Sequence, residues 1–323
     1  MKSTLKYLRL SLMLLILLMG GAKQATAISC DIYMGGKQMV FGTLNVLDGQ
    51  AKSTTATISY GCSGAPEPLT VLICLSLGSG PNSNVDQRYL TSGDRDQLAF
   101  NLYTDASMSA VWGSIDAGGG ASGVPLLLQL PAYKRGEATA QIYGSISPRG
   151  QTGLPAGHYD ATWPAKINYR VHQPGMPVSC ESTFTGQADT EFYIQAVIAK
   201  DCRIESASPL DFGSVAGVMP QHLDANAIIS VICNGTAYRV GLDDGRHARD
   251  KVRRMSGPRG YIEYELYRDS GRTERWGNNF WYDGVARTGT GVTQSLTVYG
   301  RVPMQPLAGS GVYSDTITVT VDY

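Results

Sequence analysis

Charged side chains are scarce in this 323-residue chain: Asp, Glu, Lys and Arg make up 17% of it, against about 25% in a typical soluble domain. Neither sign is in excess, with 27 basic and 27 acidic residues, so no basic field points to nucleic acid. Histidine is rarer still. His158, His172, His222 and His247 are scattered, and no HExxH or Cys-x-x-Cys motif offers ligand spacing. A GxSxG elbow is missing, and the glycine-rich stretch 118–123 lacks the lysine of a phosphate-binding loop. These gaps argue against an enzyme, and no metal or cofactor is expected. Beyond residue 27 no apolar run reaches 18 residues, so no later segment reads as a membrane helix. Sustained helical periodicity is also absent beyond residue 27.

What is present reads as exported β-structure. Hydrophobic residues reach 43%, which argues against disorder, and 38 Gly and 18 Tyr accompany them. Residues 1–27 carry Lys2, Lys6 and Arg9, an apolar run over 10–19, and Ala25-Thr26-Ala27, the signature of a secretory signal peptide. Without that segment's four basic residues, 23 basic face 27 acidic, a net charge of −4.

Six cysteines in an exported chain imply disulfides. Cys30 and Cys62 are 32 residues apart, and Cys202 and Cys233 are 31 apart. The doubled spacing predicts one local bridge in each of two domains and leaves Cys74 to pair with Cys180.

The chain repeats itself. Leu102-Tyr103-Thr104-Asp105 precedes Trp112-Gly113, and Leu266-Tyr267-Arg268-Asp269 precedes Trp276-Gly277, at a constant offset of 164. Phe41-Gly42 answers Phe212-Gly213, Tyr143-Gly144 answers Tyr299-Gly300, and Gly157 before Tyr159 answers Gly309 before Tyr313. Two copies of one domain account for this, and the repeated Trp112 and Trp276 point to a shared fold role rather than binding. Short apolar or alternating runs bounded by turn residues predict strands near 54–61, 69–77, 98–105, 125–131, 138–146 and 160–171. In the second copy they fall near 209–215, 225–233, 237–243, 261–269, 294–302 and 315–323. Such spacing fits an all-β chain with two immunoglobulin-like sandwiches in tandem.

The copies differ at their ends. The last residues alternate, with Ile317, Val319 and Val321 on one face. Either the second sandwich simply ends there, or it lacks its last strand and leaves an edge for another chain to fill. Before Cys202 runs another alternating segment, with Phe192, Ile194, Ala196 and Ile198 on one face. The mature chain would open at Ile28-Ser29-Cys30, with no comparable lead.

The paired pattern of Cys, Phe-Gly, Cys, Leu-Tyr-x-Asp…Trp-Gly, Tyr-Gly and a terminal alternating strand resembles the spore coat U domain. That domain occurs in subunits of archaic, Csu-type chaperone–usher pili. The resemblance covers both copies, 190–323 most clearly, and a two-domain chain of this kind is similar to the tip subunit. It implies a 28–188 adhesin-like domain, a 189–200 donor-like strand, and a 201–323 pilin domain lacking its last strand. It also implies a periplasmic chaperone, an outer-membrane usher, a following subunit that donates a strand, and a place at the cell surface on the pilus. Residues 189–200 would then complete the first domain in cis. A minor structural or adaptor subunit, or a secreted carbohydrate-binding sandwich, are the alternatives.

An adhesin of this kind would meet an abiotic or host surface through apolar loops. Three loops poor in charge are expected to gather at one end: one with Pro66, Pro68 and Leu69, one with Ile115 and Val124, and one with Pro174, Met176, Pro177 and Val178. Asn234-Gly235-Thr236 matches a glycosylation sequon. The aromatic run Phe280-Trp281-Tyr282 has no counterpart in the first copy and is unassigned.

Overall fold

The computed structural model describes residues 27–323 apart from 35–37, 79, 81–86, 94, 114–122, 181–182, 217–220 and 307. The proposed leader therefore lies outside the described residues. The first half holds β1 (Ser29–Met34), β2 (Gln38–Leu44), β3 (Lys52–Ser63), β4 (Leu69–Leu77), β5 (Arg88–Ser92), β6 (Asp96–Tyr103), β7 (Val124–Leu130), β8 (Gly136–Ile146), β9 (Gly157–Val171) and β10 (Gly186–Ile198). One layer runs β1-β3-β8-β6 and the other β2-β10-β9-β4-β7, with β5 bridging β6 and β9. Alternation sets the inward faces: in β9 Tyr159, Ala161, Trp163, Ala165 and Ile167 are all buried. β4 breaks the pattern and is apolar nearly throughout because both its faces are covered. Val71, Ile73 and Leu75 join the main core, while Leu72 and Cys74 pack beneath Cys180 and Phe184.

The second half holds β11 (Cys202–Ala207), β12 (Leu223–Cys233), β13 (Ala237–Leu242), β14 (Arg253–Gly257), β15 (Gly260–Tyr267), β16 (Val285–Thr288), β17 (Gln294–Val302) and β18 (Val319–Asp322). Its layers run β11-β12-β17-β15-β14 and β16-β13-β18. Each copy has its own main core.

The repeated motifs are fold devices. Trp112 and Trp276 are buried, and their indole N–H groups donate to the carbonyls of Leu75 and Val240. Each Trp carbonyl accepts from a wholly buried arginine, Arg88 or Arg253. That arginine also meets Asn101 in the first copy and Glu265 in the second. Asp105 accepts from the backbone N–H groups of Ser109 and Ala110, and Asp269 from those of Thr273 and Glu274. The Ser107 hydroxyl first, and then these backbone bonds, hold Asp105 below the usual carboxylate range, and the Glu274 and Thr273 bonds lower Asp269 likewise. Tyr159 donates its hydroxyl to Pro155 O and Tyr313 to Gly309 O, each four residues upstream, the corner typical of such sandwiches. In Phe41-Gly42 and Phe212-Gly213 the glycines have φ of +72° and +75°, a region that disfavours any side chain.

All six cysteines are bridged, Cys30 to Cys62, Cys74 to Cys180 and Cys202 to Cys233. The two copies meet along a tight seam. Arg203 donates to Leu47 O, and Gly235 N–H to Leu154 O. Asn234 is fully buried there and donates its amide to Ala199 O, which removes the sequon as an acceptor site.

Two expectations need correction. The 209–215 segment forms no strand, and the strand expected at 315–323 is confined to Val319–Asp322. A strand needs at least one paired neighbour, and the space between these segments holds none of the described strands. The first sandwich also contains more strands than the six expected, because the edge strands β1 and β2 and the short β5 are too short or too mixed to read by alternation.

Candidate functional site

β10 lies between β9 and β2. It pairs antiparallel with β9 from Gly186↔Tyr169 to Ile198↔Gly157 and parallel with β2 from Tyr193↔Gln38 to Ile198↔Leu44. The strand starts at Gly186, three residues before the expected 189. Phe192, Ile194, Ala196 and Ile198 are all buried in the first core. Full burial of each large side chain stabilises by roughly 1.5–3 kcal/mol. A one-residue register shift in the β10–β2 ladder falls at Phe41-Gly42, where the glycine's positive φ allows a bulge.

The same location in the second sandwich is a groove of about 370 Å³. Leu210 and Phe212 form one wall, Ile317 and Val319 the other, and Met255 and Tyr264 the floor. Every one of these apolar side chains but Tyr264 is only partly buried. Phe212 meets Tyr264 edge to face at 6.1 Å, as Phe41 meets Phe100 at 6.0 Å. In the first copy Trp163 adds a third ring 5.2 Å from Phe100; Ile317 takes its place in the second. The Tyr264 hydroxyl donates to Asp315 at 2.8 Å. Burial first, and that bond second, push its pKa well up.

The two copies connect at the Gly157 end of β9, so the opposite end of the first sandwich is distal. Three connections gather there. They are 64–68 between β3 and β4, 131–135 between β7 and β8, and 172–185 between β9 and β10. Tyr133 N–H donates to Ala65 O, and His172 N–H to Thr70 O. Pro66, Pro68, Pro174, Met176, Pro177 and Val178 are exposed, and Leu69 is half-buried. The Cys74–Cys180 bridge ties the third connection to β4.

Val124, expected in the second of the apolar loops, lies elsewhere. Val124, half-buried, pairs with Leu75, whereas Leu69 pairs with Leu130 at the distal end. Six residues of β4, about 20 Å, separate the two places. Ile115 lies outside the described residues. The loop that takes that place carries Tyr133, which is 83% exposed with φ of +56°, a conformation uncommon for a bulky residue. Sequence reasoning missed it because a single tyrosine between Pro131 and Lys134 carries no periodic signal. Among the described residues no group of three or more metal-ligating side chains converges.

The Spore Coat Protein U domain model matches residues 20–165 and 188–320. The chain belongs to that family. One match falls on each copy, and the second also takes in most of β10, which packs in the first sandwich. Protein U of Myxococcus xanthus is 36% identical over 63 residues, which are 20% of this chain and 35% of that protein. The chain thus spans about a third of the curated relative it matches. Two solved structures align along most of the chain. One is a chain of the CsuC–CsuE chaperone–tip adhesion subunit pre-assembly complex of Acinetobacter baumannii Csu pili, 14% identical, covering 91% of this chain and 100% of that one, with a TM-score of 0.48. The other is the CupB6 tip adhesin of Pseudomonas aeruginosa, 11% identical, covering 92% and 94%, with a TM-score of 0.41.

Proposed function

We propose that this spore coat U domain protein is the tip adhesin subunit of a chaperone–usher pilus. One contrast carries the reading: β10 fills the first sandwich, while the equivalent groove of the second is open between Phe212 and Ile317. An apolar groove flanked by strand edges is a template for a strand from another chain. A periplasmic chaperone would occupy it first, and a donor strand of the next subunit would replace it at the outer-membrane usher. The first domain would then stand at the free end of the pilus, on the cell surface.

The distal connections would make the contact. Met176, Val178 and Tyr133 present apolar surface with prolines beside them, and Cys74–Cys180 limits the freedom of the longest loop. Apolar groups of this kind suit an abiotic or host surface. Replacing Met176 and Val178 together by Asp should abolish adhesion of cells that still display pili. Unchanged adhesion would move the contact away from these loops, and failure of the chain to co-purify with a chaperone would sink the pilus reading itself.

A further inference from the structure

The second domain carries an aromatic feature that neither its core nor its groove uses. Trp281 is 74% exposed and Tyr282 80% exposed. They sit in the 277–284 connection between β15 and β16, which folds over the outer face of β13. Gly241 makes room for it, because a Cβ there would lie 2.5 Å from Asn278 Oδ1 and 3.1 Å from the Phe280 ring.

This connection is held firmly. Asn279 O accepts from the N–H groups of Tyr282, Asp283 and Gly284, and Asp283 Oδ1 accepts from Asn279 N–H. Asn279 Oδ1 accepts from Trp281 N–H, and Arg268 donates to Gly284 O. Arg275 lies within salt-bridge distance of Asp283. The loop is thus ordered while its two largest side chains point to solvent. The Arg239 guanidinium stacks on Trp281 at 3.9 Å from the ring centroid, which fixes the indole plane. Neighbouring outward positions are polar or charged: Asn278, Thr320 and Asp322, the last opposite Arg239 in the ladder.

We infer that Trp281 and Tyr282 form a stacking platform for a neutral sugar ring, giving this domain a glycan-binding site of its own. A protein-docking surface of useful size would need contiguous apolar area, and here two rings stand amid hydrogen-bonding groups. A pyranose fits that combination. Its C–H face packs on the indole face opposite Arg239 while the Asn278 amide and the Tyr282 hydroxyl meet its hydroxyls. The site is independent of the distal loops and of the strand-accepting groove.

The test uses the full chain and two neutral probes, the β-1,4-linked tetramers of glucose and of N-acetylglucosamine. Saturation-transfer NMR and tryptophan fluorescence should detect binding of at least one. Trp281→Ala should weaken it at least tenfold and Tyr282→Ala measurably, with the melting profile unchanged because both side chains are exposed. Asp substitutions at Met176 and Val178 should leave it intact. Absence of binding by both tetramers at millimolar concentration, or undiminished binding by Trp281→Ala, overturns the proposal. Shielding of Trp281 in a chaperone complex without any saccharide effect would assign the pair to protein contact instead.

Discussion

Phe212 and Tyr264 stand edge to face with ring centroids 6.1 Å apart, matching Phe41 and Phe100 at 6.0 Å in the other domain. The edge-to-face arrangement is the same, yet Phe41 lies in a strand and Phe212 does not. What differs is the neighbour. β10 pairs with the segment around Phe41, and none of the described strands pairs with the segment around Phe212. The second domain thus holds the side chains of an edge strand in place before any ladder exists there.

A peptide copying residues 186–198, the strand that fits the first groove, is the natural probe for the second. Added to the full chain, it should raise the melting temperature of the second domain and leave that of the first unchanged. Phe212→Ala should weaken this effect about tenfold or more, since it removes half of one groove wall. A uniform shift of both transitions, or none, would contradict the assignment.

β10 makes a prediction of the opposite sign. Phe192 is buried in the first core, and Phe→Ala at such sites costs about 3–5 kcal/mol. Denaturant unfolding followed by domain-specific probes should show that loss in the first domain alone. Equal stability of the variant and the parent would mean that β10 is not needed to close the sandwich.

Much of this was readable in the sequence. Strict alternation exposed β9, β10 and β12, and the constant offset between Trp112 and Trp276 exposed the duplication. Alternation at Leu210 and Phe212 also predicted a strand that does not form, because pattern reports which face is apolar and not whether a partner is present. The buried Arg88 and Arg253 escaped notice, since a lone arginine in a short strand reads as surface. Their near-equal placement before Trp112 and Trp276 was the available clue. The usual sandwich order puts Val124 at the distal end, but β4 pairs with β7 in an antiparallel ladder that carries Val124 away from Leu69.

Cys74 and Cys180 close a loop of sequence separation 106, for which the chain-entropy account gives about 4.7 kcal/mol. Replacing both by Ala should lower the stability of the first domain by about 2–5 kcal/mol. It should also open 172–185 to limited proteolysis, because the bridge pins that connection to β4. Resistance of the loop equal to the parent would show that packing of Phe184 suffices.

Tyr159 gives the first domain a pH dependence. Burial, then the Asp96 charge, pushes its hydroxyl up to about 12, whereas an unfolded tyrosine titrates near 10. A raised folded-state pKa means that its contribution is complete below pH 10 and is lost as pH climbs from 10 towards about 12. Denaturation midpoints of the first domain should therefore fall across that window. Tyr159→Phe should flatten the fall while costing about 1 kcal/mol at neutral pH through the lost bond to Pro155 O. An identical pH profile in the variant would assign the fall to other groups.

Hydrogen exchange by mass spectrometry on the full chain tests most directly whether one domain is closed from within and the other awaits a strand. Without any addition, β10 and the β2 and β9 segments beside it should be strongly protected, while 209–215 and the free edge of β18 exchange quickly. Adding the 186–198 peptide should protect 209–215 and β18 alone. Protection of both edges before any peptide is added, or rapid exchange along β10, would contradict the account.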